Sequence, residues 1–292
     1  MASPCVIARL AGGLGNQLFM YAFAKALAVR NDVPLLLDTH SGFVRDRNYR
    51  RTFLLDHLIP PTPHASRWQA RAWPLVGRAL QSWDRRRNAR LPLAERDYLR
   101  ERSPDFDAEI YHLRVTRPLI VDGYWQSPRY FDDLPLRDLI RFPDALTRAV
   151  TAEDDSIRAS ATPVCLAVRR YEEIPRHKRP MLILDADYFY RAMAWIETHV
   201  ESPHYFVFAQ DMPWARDNLH SQHPITFASP KDADTGAIQD LYLMSRCRHF
   251  ILSNSTLHWW GAWLGASDGA CVVAPAAGWV GRDTLPTDWH TL

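Results

Sequence analysis

The first forty residues carry the pattern of apolar and polar positions that a β-α-β unit requires. The apolar run 5–8 predicts a buried strand, and apolar positions at helical spacing predict a helix over 17–29. Residues 33–38 predict the next strand, and a glycine-rich turn at 11–16 joins the first strand to the helix. Because strands joined through a helix run parallel, this pattern predicts a parallel sheet.

The carboxyl-terminal half repeats the alternation of short apolar runs and amphipathic stretches. The pattern predicts strands at 164–168, 205–209, 225–228, 250–252 and 270–273, and helices at 187–199, 213–219 and 237–247 and from 257 onward. Repeated strand–helix pairs with short connections predict a doubly wound α/β domain. A polar helical stretch at 147–162 precedes them, so we predict two domains, residues 1–155 and 156–292.

The region between these two patterns is less regular. Residues 49–59 fit either a helix or a clamped loop, and the Trp- and Arg-rich stretch 67–102 is predicted to be largely helical. The three consecutive arginines at 85–87 favour a solvated helix face, with contact to a membrane surface or an anionic acceptor as the alternative. Residues 118–122 predict a strand, and a helix is expected to begin at 128–131.

Composition limits the classes of protein that fit this pattern. The hydrophobic fraction of 47% is enough for a full core, and the net charge of +2 argues against a nucleic-acid-binding protein. Four cysteines show no C-x-x-C spacing and lie mostly in apolar runs, which predicts reduced thiols. No apolar run approaches the roughly 18 residues of a transmembrane helix, and the first strand begins almost at once. We therefore expect no transmembrane segment, no leader and a cytoplasmic location.

Polar residues follow two predicted strands of the second domain. Arg169 and Arg170 come directly after strand 164–168, where the crevice of a parallel sheet binds ligands. An arginine fork at that place fits a diphosphate, and a surface salt bridge is the alternative. Asp211 follows strand 205–209 and suits either the N–H groups of a guanine or a ribose hydroxyl, or the N-cap of the next helix.

A polar turn at 253–256, with the sequence Ser-Asn-Ser-Thr, separates strand 250–252 from the last helix. It places hydroxyl groups and backbone N–H groups at the positive end of that helix, which is the local geometry of an anion site. The glycine turn at 11–16 lacks the third glycine of a dinucleotide-binding fingerprint. Its side chains Asn16 and Gln17 are nevertheless placed to donate to a ligand.

Three D-x-D sequences, at 105–107, 185–187 and 232–234, have the form of a metal–diphosphate motif. The last two stand just before predicted helices, so N-capping is the favoured interpretation. No cluster of His, Cys and Asp has the spacing of metal ligands, and we predict no metal site.

Four segments of the chain resemble glycosyltransferase family 11, the α-1,2-fucosyltransferases. They are residues 11–24, 122–131, 206–219 and 240–264, and their order and spacing match across nearly the whole chain. The resemblance implies a GT-B-like α/β fold with two Rossmann-like domains facing a central cleft, the first on the acceptor side and the second binding the nucleotide sugar. It also implies a GDP-fucose donor, inversion at the fucose anomeric carbon and no required metal or other cofactor.

The resemblance further implies roles for single residues. Asn16 would lie near the donor phosphates, Arg169 and Arg170 would bind the diphosphate, Asp211 would bind the guanine, and Asn254, Ser255 and Thr256 would hold phosphate and fucose. The chain departs from the family's H-x-R-R-G-D-Y motif, because Ala167 replaces the histidine and Gly-Asp-Tyr is absent. Glu172 and Glu173 are then the candidates for a base on the acceptor hydroxyl, while Arg169 would stabilise the leaving group. His258 is a second departure, at a position where the family usually has a small polar residue.

These features predict an inverting galactoside α-1,2-fucosyltransferase that moves fucose from GDP-fucose to the 2-hydroxyl of a galactose on a glycan. Two alternatives stay open: a transferase of another nucleotide sugar on the same scaffold, and a non-catalytic protein that binds glycan or nucleotide. Peripheral association with a membrane is compatible with the Arg-rich stretch 67–102. That stretch is also expected to set acceptor specificity, since none of the four segments that resemble the family lies within it.

Overall fold

The computed structural model describes residues 3–44, 51–71, 77–171, 184–232 and 235–292, without the side chains of 77–81. The chain forms two units, the first comprising Met1–Arg141 and Val280–Leu285 and the second comprising Phe142–Trp279 and Pro286–Leu292. Each unit therefore combines an earlier segment of the chain with a later one.

The first unit is built on a parallel sheet with the strand order β2-β1-β4-β3. Its strands are β1 (Cys5–Arg9), β2 (Leu35–Asp38), β3 (Tyr98–Arg100) and β4 (Pro118–Asp122). Ile7 of β1 lies opposite Leu36 on one side and Ile120 on the other. The two central strands are nearly continuous apolar runs because a parallel sheet is covered on both faces.

Helices cover this sheet and fill the connections between its strands. They are α1 (Leu14–Arg30), α2 (Gly77–Ala89), α3 (Ala108–Tyr111) and α4 (Leu136–Leu139), with 3₁₀ turns at Leu55–His57, Leu93–Glu95 and Pro128–Tyr130. Helix α1 packs against β1 and is buried around almost its whole circumference, as its apolar composition requires.

The second unit is built on a six-stranded parallel sheet with the order β10-β9-β8-β5-β6-β7. Its strands are β5 (Pro163–Val168), β6 (His204–Ala209), β7 (Ile225–Phe227), β8 (His249–Ile251), β9 (Val272–Ala274) and β10 (His290–Thr291). Its helices are α5 (Asp144–Arg148), α6 (Thr151–Ala159), α7 (Ala186–His199), α8 (Met212–Asn218), α9 (Gly236–Ser245) and α10 (Thr256–Gly265). The chain leaves β5 first toward β6 and later returns to β8 on the opposite side, so the strand order reverses at β5.

Most elements agree with the prediction from sequence, and three details differ. Among the described residues of the stretch 67–102, α2 and the short 3₁₀ turn that follows it are helical, and Tyr98–Arg100 form strand β3, which the pattern did not predict. Strand β10 was also not predicted, because two residues carry no periodicity. The predicted domain boundary after residue 155 falls inside helix α6, which lies wholly in the second unit.

All four cysteines are free thiols, and Cys5, Cys165 and Cys247 are buried. The prediction of thiols in apolar surroundings is confirmed for these three. Among the residues that the structure describes, no helix combines the length and the apolar character that crossing a membrane requires.

Candidate functional site

The carboxyl ends of β5, β6 and β8 lie side by side at one edge of the second sheet. Val168 near the end of β5 pairs with Ala209 of β6, and Leu166 pairs with Ile251 of β8. The segments that follow these strands therefore emerge next to one another, at the point where the strand order reverses. In open α/β sheets this is the usual place of a ligand site.

Two stacked arginines follow β5. The guanidinium carbon of Arg169 lies 4.2 Å from the centroid of the Tyr171 ring, and that of Arg170 lies 4.1 Å from the Trp214 ring. A guanidinium within about 6 Å of a ring centroid is attracted by the face of the ring, which restricts the side chain. Both arginines thus lie against an aromatic ring at the carboxyl edge of the sheet, where a guanidinium can bind a phosphate.

Tyr171 connects the end of β5 to the polar turn after β8. Its hydroxyl donates a hydrogen bond of 2.9 Å to the backbone carbonyl of Asn254. Its backbone adopts the left-handed conformation, with a φ of 54°, which is rare for a bulky residue and carries a conformational cost. A strained residue held in this way at a strand end is typical of a functional site.

The polar turn is anchored to β5 through Ser253. Its backbone N–H and its hydroxyl both donate to the carbonyl of Ala167, at 3.1 Å and 3.0 Å. The Ser253 oxygen also lies 3.0 Å from Nδ1 of His258. Because the single hydroxyl proton of Ser253 is used on Ala167, Nδ1 of His258 must carry the proton of this second bond.

His258 is a neutral, buried imidazole. Burial, together with the positive charge of Arg169, lowers the pKa of His258 to about 3. The proton on Nδ1 leaves Nε2 as the acceptor of the ring. Sequence analysis noted His258 only as a departure from the family pattern and did not connect it with Arg169 or Ser253.

The first turn of α10 has the features expected of an anion site. Ser255 is the N-cap residue, with extended backbone angles and a side chain that makes no capping hydrogen bond. Asn254 and Ser255 are buried, and Thr256 is half-buried. The first N–H groups of a helix have no partners within it, so this turn offers backbone and hydroxyl donors together.

Asp211 is the N-cap of α8. Its Oδ1 accepts a hydrogen bond of 3.1 Å from the backbone N–H of Trp214. This is the capping role that sequence analysis gave as the alternative to guanine binding, and the guanine contact stays a prediction. Asp185 likewise caps α7 through Tyr188, as the D-x-D interpretation expected. Glu172 and Glu173, the candidate bases, lie outside the described residues.

Asn16 and Gln17 have different surroundings in the first unit. Gln17 is fully buried and is not available to a ligand, because its side-chain amide donates to the carbonyls of Gly12 and Thr52. The expectation that Gln17 donates to a ligand is therefore wrong. Asn16 is half-buried, and its Oδ1 accepts a hydrogen bond of 3.1 Å from Gln126. That Asn16 binds the donor phosphates stays a prediction.

A charged cluster at the carboxyl edge of the first sheet was missed by sequence analysis. Buried Arg9 ends β1 and donates to Asp38 at 3.3 Å, to Asp122 at 3.4 Å and to the hydroxyl of Tyr98 at 3.0 Å. The Tyr98 hydroxyl in turn donates to Asp122. Burial, followed by the charge of Asp122, raises the pKa of Tyr98. The signal was present in the sequence, because Arg9, Asp38 and Asp122 each follow an apolar run, as Arg169 does.

Each unit also contains a cavity. In the first unit a cavity of about 270 Å³ adjoins the Arg9 cluster. In the second unit a cavity of about 430 Å³ lies beyond the end of β7, where Lys231 Nζ contacts Glu153 Oε1 at 2.6 Å. Burial raises the pKa of nearby Asp240 to about 6, against the opposing charge of Lys231. Among the described residues, no group of three or more His, Cys, Asp and Glu side chains is arranged to hold a metal ion.

Comparison with solved structures defines the class of the fold. NodZ from Bradyrhizobium, an α-1,6-fucosyltransferase in a crystal soaked with GDP-fucose, superimposes with a TM-score of 0.56 at 15% sequence identity, over 90% of this chain and 93% of NodZ. Together with the two parallel α/β sheets, this likeness places the protein in the GT-B class, as predicted.

Sequence comparison defines the family. The model of glycosyl transferase family 11 matches residues 84–279, and the chain belongs to this family of glycosyltransferases. An α-1,2-colitosyltransferase from Escherichia coli is 26% identical over 96% of this chain and 94% of its own length. Galactoside α-(1,2)-fucosyltransferase 2 from Sus scrofa is 24% identical over 88% of this chain and 68% of its own length. The family assignment made from the motifs is confirmed.

Proposed function

We propose that this glycosyltransferase is an inverting α-1,2-fucosyltransferase that moves fucose from GDP-fucose to the 2-hydroxyl of a galactose on a glycan. The observation that carries the proposal is the stacked pair Arg169 and Arg170 beside the hydroxyl-bearing turn that precedes α10. The names of the pig relative and of NodZ support the fucose donor, and the pig relative supports the α-1,2 linkage to a galactoside. The four free thiols support a reducing, cytoplasmic location.

The proposed chemistry follows from where charge develops in the transition state. The bond between fucose C1 and the β-phosphate oxygen breaks, which gives C1 oxocarbenium character and leaves negative charge on the β-phosphate. Arg169 would meet this charge together with the hydroxyl groups of Ser255 and Thr256 and the backbone N–H of Thr256, which is electrostatic stabilisation of the leaving group. We propose that these groups suffice without a metal ion, so that activity persists in the presence of a chelator.

Replacing Arg169 tests this assignment. We expect Arg169→Ala to lower kcat by about 10²–10³, the typical cost of losing one such donor, while the protein stays folded. Arg216→Ala is the matched control, because the Arg216 guanidinium is also stacked, 4.6 Å from the Phe227 ring, but belongs to helix α8 and not to the end of β5. Near-normal turnover of Arg169→Ala would contradict the role of Arg169.

The proton of the acceptor hydroxyl needs a destination as the new glycosidic bond forms. We propose Glu172 or Glu173 as the base, because they are the first carboxylates after the two arginines. Glu172→Gln and Glu173→Gln test this proposal. The variant that removes the base should lose activity, and its activity should no longer rise with pH on the acid side of the profile. Full activity with an unchanged pH profile in both variants would show that the base lies elsewhere.

Colitose transfer is the second candidate function, and the colitosyltransferase relative favours it. Colitose differs from fucose by the absence of the 3-hydroxyl, so the two donors share their nucleotide and their anomeric chemistry. Purified protein is incubated with a lactose-type acceptor and, separately, GDP-fucose, GDP-colitose, GDP-mannose and UDP-galactose, and the linkage of each product is determined by NMR. A fucosyl-α-1,2-galactose product with the highest kcat/KM supports the main proposal. Preference for GDP-colitose supports the alternative, and no product from any donor favours a non-catalytic binding protein.

A further inference from the structure

Ala167 and His258 depart from the family pattern in opposite directions. The H-x-R-R-G-D-Y motif has a histidine where this chain has Ala167, and His258 stands where the family usually has a small polar residue. At one position a large side chain has become small, and at the other a small side chain has become large. The structure shows that these two positions, which are far apart in the sequence, belong to one packed layer.

The side chain of Ala167 lies on the face of the second sheet that α10 covers. The hydrophobic core on the opposite face takes the alternate residues of β5, which are Val164, Leu166 and Val168. Cys165 precedes Ala167 by two positions and pairs with Phe250 of β8, so these three side chains share a face. A Cβ atom at Gly265 of α10 would lie 2.8 Å from the Phe250 ring, which shows that α10 packs on this face. Ala167 is fully buried there, beneath the helix that carries His258.

Ser253 joins the two positions directly. Its hydroxyl donates to the backbone carbonyl of Ala167 at 3.0 Å and accepts from Nδ1 of His258 at 3.0 Å. The imidazole therefore lies only two hydrogen bonds from the backbone of position 167. Because His258 is 7% exposed, its ring is part of the packed layer between the sheet and α10.

The same imidazole is electrostatically coupled to Arg169. Burial, and then the charge of Arg169, lowers the pKa of His258 and keeps the ring neutral. With its proton on Nδ1, the ring offers the acceptor Nε2, which suits a guanidinium N–H or a hydroxyl and not a phosphate oxygen. A carboxylate at this place would pair with Arg169 and compete with a phosphate for it. A neutral acceptor can orient the guanidinium and leave its charge for a ligand.

We propose that His258 supplies from α10 the imidazole that the motif carries on β5, and that it positions Arg169 for the diphosphate of the donor. It is a positioning residue, since it acts through Arg169 and through the turn that Ser253 anchors. The diphosphate rests on the proposed function, whereas the exchange between positions 167 and 258 does not. Exchanging the two residues back should therefore restore the binding of a nucleoside diphosphate.

Calorimetric binding of GDP and thermal unfolding test the proposal. His258→Ser should weaken GDP binding about tenfold, the effect of losing one well-placed interaction. Ala167→His alone should lower both the affinity for GDP and the melting temperature, because two rings then compete for one space. The double variant Ala167→His/His258→Ser should bind GDP within about threefold of the wild type, since the two changes compensate each other.

Two controls separate an imidazole from a filled space. Ala167→Leu/His258→Ser refills the layer without a ring nitrogen, and it should regain the melting temperature but not the affinity for GDP. His249→Ser removes another buried imidazole of the second unit, 5% exposed, whose Nδ1 accepts from the backbone N–H of Cys271 at the amino end of β8. This variant should lower the melting temperature and leave GDP binding unchanged.

Nitrogen NMR of the wild type adds a measurement that needs no variant to fold. GDP should shift the ring-nitrogen resonances of His258 and leave those of His249 in place. Absence of a shift at His258 would overturn the proposal. So would unchanged GDP binding in His258→Ser, or full recovery of GDP affinity in Ala167→Leu/His258→Ser, which would reduce the role of His258 to packing.

The outcomes also distinguish the positioning role from the proposed function. If His258→Ser does not fold, the two double variants decide, because they differ only in the nitrogen atoms at position 167. If no donor yields a fucosyl product while GDP binding follows the expected order, the proposed function fails and the positioning role stands. If fucosyl transfer occurs and His258→Ser keeps the wild-type GDP affinity and donor KM, the function stands and the positioning role fails.

Discussion

His258 shows how a single residue can be both structural and close to the chemistry. Its imidazole holds the turn through Ser253, while its burial and the charge of Arg169 keep it neutral. A protonated imidazole at this place would repel the guanidinium of Arg169. Because its pKa is low, the imidazole that holds the turn of the proposed donor site stays uncharged at mildly acidic pH.

The pH dependence of stability tests this neutrality. The pKa of His258 is about 3 in the folded protein and about 6.5 in the unfolded protein. Between pH 3 and pH 6.5 the unfolded state therefore binds one proton more than the folded state. The contribution of neutral His258 to the free energy of unfolding is therefore complete above pH 6.5. Below that pH it falls by about 1.4 kcal/mol per pH unit. The difference in unfolding free energy between wild type and His258→Asn should thus shrink by about 2 kcal/mol from pH 7 to pH 5 in urea titrations.

Exposed His220 supplies the control for the loss of an imidazole. His220→Asn, at an exposed position, should change the free energy of unfolding little. A difference between wild type and His258→Asn that stays constant from pH 7 to pH 5 would show that His258 is not held neutral.

At the scale of elements, the same backbone feature occurs at the carboxyl edges of both sheets. In each unit an aromatic residue with a left-handed backbone stands three positions after a strand, Trp125 after β4 and Tyr171 after β5. Each conformation costs on the order of 1–3 kcal/mol and is held by hydrogen bonds from neighbouring segments. Trp125 is held by Glu101, and Tyr171 by the carbonyl of Asn254.

Removing the carboxylate of Glu101 should release the turn after β4. Glu101→Ala leaves the N–H groups of Tyr124 and Trp125 without their acceptor, so we expect a loss of about 1–3 kcal/mol in unfolding free energy. Glu101→Gln keeps one acceptor oxygen and should lose less. Denaturant titration measures both, and exposed Glu95→Ala in the same unit should change little. Equal stability of Glu101→Ala and Glu95→Ala would show that Glu101 does not hold the turn.

Sequence reasoning located elements and strand ends well because both follow from local periodicity. The positions of Arg169, Arg170 and the 253–256 turn followed from the rule that ligands bind beyond parallel strands. It missed β3 because Tyr98 and Leu99 are only two apolar residues among charged ones. It misjudged Gln17 because the amide's partner Thr52 lies 35 residues away and leaves no local trace. The position of Arg9, Asp38 and Asp122 after apolar runs is visible in the sequence, but their mutual contacts are not, because they join residues 29 to 113 positions apart.

At the scale of the whole molecule, the segment Val280–Leu285 is part of the first unit although it follows most of the second in the chain. Asp283 accepts a hydrogen bond of 3.2 Å from the backbone of Phe106 and one of 3.2 Å from the hydroxyl of Ser127. Arg282 pairs with Asp105 at 2.7 Å on the exposed side of the segment. The loop that leads into α3 and the turn before the Pro128–Tyr130 helix are thereby tied to the same late segment.

Replacing Asp283 tests how much the first unit depends on this segment. Asp283→Ala leaves the Phe106 N–H and the Ser127 hydroxyl without their acceptor, and we expect a loss of about 1–3 kcal/mol. Hydrogen exchange should rise selectively around residues 103–130. Arg282→Ala, which removes only an exposed ion pair, should leave exchange in that region unchanged. Unaltered exchange in Asp283→Ala would show that the segment is dispensable.

The late segment also affects the order in which the protein takes shape on the ribosome. Domains generally fold as they are synthesised, beginning with the amino-terminal one, at about 5–20 residues per second. Here the backbone N–H of Phe106 and the hydroxyl of Ser127 lack their acceptor Asp283 until residue 283 has left the ribosomal tunnel, after nearly all of the second unit has been made. Folding of the first unit therefore stays incomplete for several seconds after its main part has been synthesised. Expression of the amino-terminal half alone would produce a first unit without the segment Val280–Leu285.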